Sequence, residues 1–145
     1  MTAKFGHINI VVRDLDAAKD FFVGNFGFAA GPAVTLEGPW ADALNRMHDV
    51  RAEHIPLTLD GCSVQIELLK FLHPLPAPED GVGTPNNIGY RHIDFDVDNI
   101  DEMTSRLQSQ GWKFLSPVQT VSSMNLKTVY FLGPEGVLIQ MTQTL

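Results

Sequence analysis

One cysteine, Cys62, is the only thiol in these 145 residues. A single thiol forms no internal disulfide, and such scarcity suits a reducing compartment, so the expected location is cytoplasmic. Cys62 stands beside Val64 and Ile66 of an expected strand, which favours a packed or half-buried thiol over a reactive one. Positive charge is also sparse. Ten Lys and Arg face 17 Asp and Glu, the net charge is −7, and no two basic residues are adjacent. Nucleic acids and anionic membrane surfaces are bound through clustered Lys and Arg, so neither is an expected partner. No apolar run approaches the ~20 residues of a membrane-spanning helix. MTAKFGHINIVV reaches Arg13 without a small-residue cleavage site, so no signal peptide is expected. The rest is ordinary: 44% hydrophobic and 19% charged residues, a balance that fits one globular domain or two small halves sharing a core.

What the chain does contain is a repeat. HINIVVRDLDAAKDFF begins at His7, and HIDFDVDNIDEMTSRL begins at His92; Leu15 to Ile100 and Asp16 to Asp101 keep the same offset as the two histidines. In each copy a strand leads into a helix. Asp14 is the expected cap of the first helix, with Leu15, Ala18, Phe22 and Phe26 at helical spacing, Phe21 beside them and Gly27 as the stop. Asp98 or Asn99 caps the second, which puts Ile100, Met103 and Leu107 on one face and ends at Gly111. Strands follow each helix. AEHIPLTLDGCSVQIELLKFL carries a hairpin signal at Asp60-Gly61, and KTVYFLGPEGVLIQMTQ carries one at Gly133-Pro134-Glu135-Gly136. Weaker strands, AAGPAVTLE and KFLSPVQTV, precede the two hairpins. The first half alone has an insert between Pro39 and Val50, read as a short extra helix. Pro74, Pro76, Pro78 and Pro85 mark a linker. The expected organisation is α+β: module one over about 1–73, linker about 74–89, and module two about 90–145.

Strand alternation sorts side chains by face. His7 and Asn9 share the more polar face of the first strand, as His92 and Asp94 share that of its counterpart. Glu67 in VQIELL and Gln140 in GVLIQMT occupy the polar faces of the last strands. Each half therefore contributes one histidine and one oxygen donor. Two imidazoles, a carboxylate and an amide oxygen make a plausible shell for a divalent ion. A histidine at a strand start or a glutamate within one can equally be a satisfied polar residue at a sheet edge. Equivalent placement in two repeats favours the ligand set.

Taken together, HINIVVRDLDAAKDFF, IELL, HIDFDVDNID and VYFLGPEGVLIQM resemble the vicinal oxygen chelate superfamily, the glyoxalase, bleomycin-resistance and extradiol dioxygenase fold, over nearly the whole chain. The pattern is most similar to the glyoxalase- and methylmalonyl-CoA-epimerase-like members. The resemblance implies tandem βαβββ modules forming a U-shaped cleft around a metal, with the ligand slots on His7, Glu67, His92 and Gln140. It also implies a homodimer and a small-molecule substrate. The ion would be Zn, Ni, Co, Mn or Fe. The last slot is most often glutamate in this superfamily, and Gln140 offers an oxygen without charge or basicity. That departure counts against a non-haem iron dioxygenase, whose shell would need the final carboxylate. Bleomycin-type binding members generally lack the metal set, so the three matching ligands favour an enzyme over a sequestering protein.

The implied chemistry is that of a metal-dependent lyase, isomerase or epimerase working through a chelated enolate or enediolate. Glu67, Asp94 and Glu53 are the candidate catalytic carboxylates. In glyoxalase-like members a metal-bound carboxylate leaves the ion to shuttle protons, a role open here to Glu67 and not to Gln140. Asp94 would orient a ligand or take a proton, and Glu53 and His54 lie on opposite faces of one strand, so only one of them shares the polar face. Tyr90, Arg91 and Lys127 are secondary candidates for contact with substrate, and Trp40 in the insert for a lid.

Overall fold

The computed structural model describes residues 5–77, Pro85, Tyr90 and 92–145. The β-branched opening forms strand β1 (His7–Val11), and the Asp14 carboxylate then accepts a hydrogen bond from the Ala17 backbone N–H at 3.0 Å to start helix α1 (Leu15–Phe26). The helix stops where expected. Gly27 has φ 73°, a left-handed conformation in which a residue without Cβ meets no steric penalty. Leu15, Ala18, Phe21 and Phe22 form the buried face of α1.

The weak strand that follows is split in two, β2 (Ala29–Ala30) and β3 (Val34–Glu37), and the insert supplies α2 (Pro39–Asn45). β4 (Arg51–Thr58) and β5 (Gln65–His73) complete the first sheet, in the order β1-β5-β4-β2, with β3 also pairing to β4. The second half repeats the plan with β6 (His92–Asp96), α3 (Ile100–Ser109), β7 (Lys113–Phe114), β8 (Gln119–Val121), β9 (Leu126–Leu132) and β10 (Leu138–Thr144). Its sheet runs β6-β10-β9-β7, with β8 also pairing to β9. In both sheets the first strand lies parallel to the last, which puts the last strand in the interior of the sheet. The chain divides into two units, Met1–Pro78 and Glu79–Leu145, within the stretch 74–89 read as linker, most of which lies outside the described residues.

Of the two cap candidates for α3, Asn99 takes the position. Its side-chain oxygen accepts from the Glu102 N–H at 3.2 Å, and its amide nitrogen donates to the Glu102 carboxylate at 3.1 Å. Replacing Asn99 with alanine is expected to cost about 1 kcal/mol, read as a lower urea midpoint at unchanged slope. An unaltered midpoint would show that the cap contributes nothing.

Apolar residues fill one face of each sheet. Ile10, Ile55, Leu57, Ile66 and Leu68 are buried in the first, and Ile93, Val129, Phe131, Ile139 and Met141 in the second. Cys62 departs from its expected burial. β4 ends at Thr58 and β5 begins only at Gln65, so the thiol sits in the connecting loop, exposed, 3.4 Å from the Val64 carbonyl. No helix among the described residues is long and apolar enough to cross a membrane.

Candidate functional site

The two sheets set their histidines and oxygen donors in the same relation. On β1, His7 is the Cα partner of Gln65, two residues before Glu67; on β6, His92 is the partner of Leu138, two residues before Gln140. Directly beside the oxygen donors stand Asn9, next to Glu67, and Asp94, next to Gln140. Parallel neighbours in register project to the same face, so in each unit these residues share the face opposite the buried apolar one.

In the first unit the contacts are open ones. His7 Nε2 lies 3.4 Å from Glu67 Oε2, and Asn9 Nδ2 donates to the same oxygen at 3.4 Å. Both distances sit at the long end of hydrogen bonding, so the carboxylate is loosely held. The His7 side chain is 51% exposed and that of Glu67 26%, which leaves both within reach of a solute. Two donors each about 2.0–2.2 Å from one ion at a near-tetrahedral angle stand roughly 3.4 Å apart. The His7–Glu67 separation of 3.4 Å matches that spacing, so this pair fits two ligands of one divalent ion.

The second unit is more tightly built. The His92 ring meets the Tyr130 ring edge to face, with centroids 5.4 Å apart and planes at 70°. Gln140 Nε2 donates to Thr128 Oγ1 at 2.9 Å and to Thr142 Oγ1 at 3.3 Å. The Thr142 hydroxyl in turn donates to Asp94, whose carboxylate oxygens lie 3.1 and 3.2 Å away. The pKa of Asp94 is raised from the ordinary value, first by desolvation of its carboxylate and also by the charge of Asp96, while the Thr142 hydrogen bond and His92 pull it down. Asp94 is thus tied to the Gln140 network through Thr142.

Glu53 is the candidate that the structure separates from the others. The β4–β5 register pairs Pro56 with Glu67 and Glu53 with Lys70, so Glu53 projects to the opposite face from Glu67. Lys70 on that face lies near enough to α1 to help lower the Asp16 pKa, an effect led by the Lys19 hydrogen bond. His54, one residue on, takes the Glu67 face instead, and its Nδ1 is buried with no hydrogen-bond partner among the described residues. Lys127 is engaged elsewhere: it lies on the same side of β9 as Val129 and Phe131 and pairs with Asp101 of α3. Trp40 and Tyr90 are exposed, and Arg91 lies outside the described residues. Among the described residues, no group of three or more His, Cys, Asp or Glu side chains is arranged to hold an ion.

Sequence reasoning singled out neither Thr128 nor Thr142. Their positions on the polar faces of β9 and β10 were readable from alternation, but their partner Gln140 was not.

Residues 4–141 match the family described as Glyoxalase/Bleomycin resistance protein/Dioxygenase superfamily. A crystal structure of a glyoxalase family protein from Bacillus cereus is 30% identical and superposes with a TM-score of 0.88, covering 100% of this chain and 96% of that one. The protein YaeR of Escherichia coli is 26% identical over 137 residues, 93% of this chain and 92% of its own length. YwkD of Bacillus subtilis is 25% identical over 135 residues, with the same coverage of 93% and 92%.

Proposed function

This chain belongs to the glyoxalase/bleomycin resistance protein/dioxygenase superfamily, and from that premise we propose that it is a metal-dependent lyase, isomerase or epimerase of a small oxygenated substrate. That superfamily includes metal-dependent enzymes, resistance proteins and dioxygenases, and its members commonly bind divalent metals. The ligands proposed are His7 and Glu67 from one unit and His92 and Gln140 from the other. The observation that carries the reading is the repeated placement of a histidine two residues out of register from an interior oxygen donor.

A donor set of imidazole, carboxylate and amide oxygen suits Zn, Ni, Co, Mn or Fe. Such an ion, when bound, supplies Lewis acidity toward a substrate oxygen. Of the two oxygen donors, Glu67 alone can take a proton, on a carboxylate oxygen that its neighbours hold loosely. Gln140 can only coordinate or accept hydrogen bonds. The neutral amide of Gln140 counts against the iron dioxygenase alternative. A homodimer and a cytoplasmic location complete the proposal, the latter supported by the single thiol.

Isothermal titration of chelator-stripped protein with each of the five ions tests it. Saturable binding of one ion per chain is expected for at least one of them. Absence of saturable binding for all five would overturn the metalloenzyme reading and leave the small-molecule-binding function of the same superfamily.

A further inference from the structure

An amide is an ambiguous ligand, because its oxygen coordinates a cation and its NH2 repels one. What surrounds Gln140 removes the ambiguity. Each threonine hydroxyl has one proton to give. That of Thr128 goes to the Met141 carbonyl at 3.1 Å, and that of Thr142 goes to the Asp94 carboxylate at 3.1 and 3.2 Å. Toward Gln140 both hydroxyls can therefore only accept. Both stand beside the same amide nitrogen, at 2.9 and 3.3 Å. A side chain turned the other way would set its carbonyl oxygen against two oxygen lone pairs. The orientation thus follows from the proton count.

We infer that Thr128, Thr142 and Asp94 are positioning residues that lock the Gln140 amide with its nitrogen drawn into the sheet and its carbonyl oxygen presented as the coordinating atom. The sheet register builds this lock, since Thr128 and Thr142 are cross-strand partners and Asp94 and Gln140 are neighbours on adjacent parallel strands. It also accounts for glutamine at this slot. Two hydroxyls whose protons are committed elsewhere select a side chain with a donor, and a carboxylate has none. The coordinating role rests on the reading of Gln140 as a ligand; the orientation does not.

Two measurements on the full chain separate these parts: the Gln140 side-chain amide resonances in 15N-labelled protein, and zinc affinity by calorimetry. The parent is expected to show two distinct Nε2 proton signals with slowed solvent exchange. In the Thr128→Val/Thr142→Val pair those signals should move to the position of a freely exposed glutamine, and zinc affinity should fall about tenfold, the lower end of what loss of ligand-orienting partners costs. The Thr128→Ser/Thr142→Ser pair should restore both. Asp94→Ala leaves the core untouched and should loosen the amide signals through Thr142 alone, which keeps the test decisive if the valine pair does not fold. Amide signals unchanged in every folded variant would overturn the lock. Signals that shift while zinc affinity holds would overturn the coordinating role. If the parent binds another of the five ions instead of zinc, affinity is read with that ion; a parent that binds none of the five would remove the functional reading and that role together, while the amide signals still decide the orientation.

Discussion

The Glu67→Ala variant is expected to bind divalent ions more than about 100-fold more weakly than the parent, beyond the 10–100-fold that loss of a mere ligand-orienting partner produces. Glu67 is the only formally anionic group among the four proposed ligands, so its removal takes away both a donor atom and the charge that offsets the cation. Glu67→Gln separates the two contributions. It keeps the oxygen and the shape, and it makes the first half-set a copy of the second, one imidazole and one amide. Its affinity should fall between those of parent and alanine variant. Calorimetric titration of the three proteins checks this. An alanine variant binding within about threefold of the parent would remove Glu67 from the shell, since even an outer partner costs more. Glu53→Ala serves as the internal control, because the β4–β5 register turns that carboxylate to the other face.

Phe22→Ala should give the largest loss of stability. Phe22 is 1% exposed, and its ring meets Phe21 edge to face at 5.1 Å and Phe28 at 5.7 Å. Truncation removes the ring from this cluster and leaves a cavity that the surrounding strands cannot close, at a cost of about 3–5 kcal/mol. For a chain of this size that corresponds to a fall in Tm of about 6–20 °C. The next residue is the control. Val23 is 39% exposed, and Val23→Ala should stay within about 0.5 kcal/mol. Equal shifts for the two variants, measured by thermal melts monitored at a helix wavelength, would mean that α1 is not anchored through this face.

Much of the plan was legible because its causes are local. Capping by Asp14, the stop at Gly27 and the buried stripe of α1 depend on residues within a turn or two of one another. The repeat showed that the halves share one plan, and alternation assigned His7, Glu67, His92 and Gln140 to polar faces before any register was known. Alternation could not choose between Glu53 and His54. It sorts a strand into two faces without saying which face carries Glu67, and the pairing of Pro56 with Glu67 supplied the answer. Cys62 departs from the expected burial for a related reason. Asp60-Gly61 reads as a tight hairpin turn, yet the loop runs on to Val64 and carries the thiol into solvent.

The amino-acid order by itself determined the succession of elements, their duplication and the face on which each donor stands, because helix caps and the two-residue period of a strand are properties of neighbouring residues. Only the tertiary structure decided what each donor touches. Asp94 and Thr142 lie 48 positions apart, and Asn9 and Glu67 58 apart. Contacts of that span exist only once a parallel register has been chosen, and the choice is made by the packing of whole sheets.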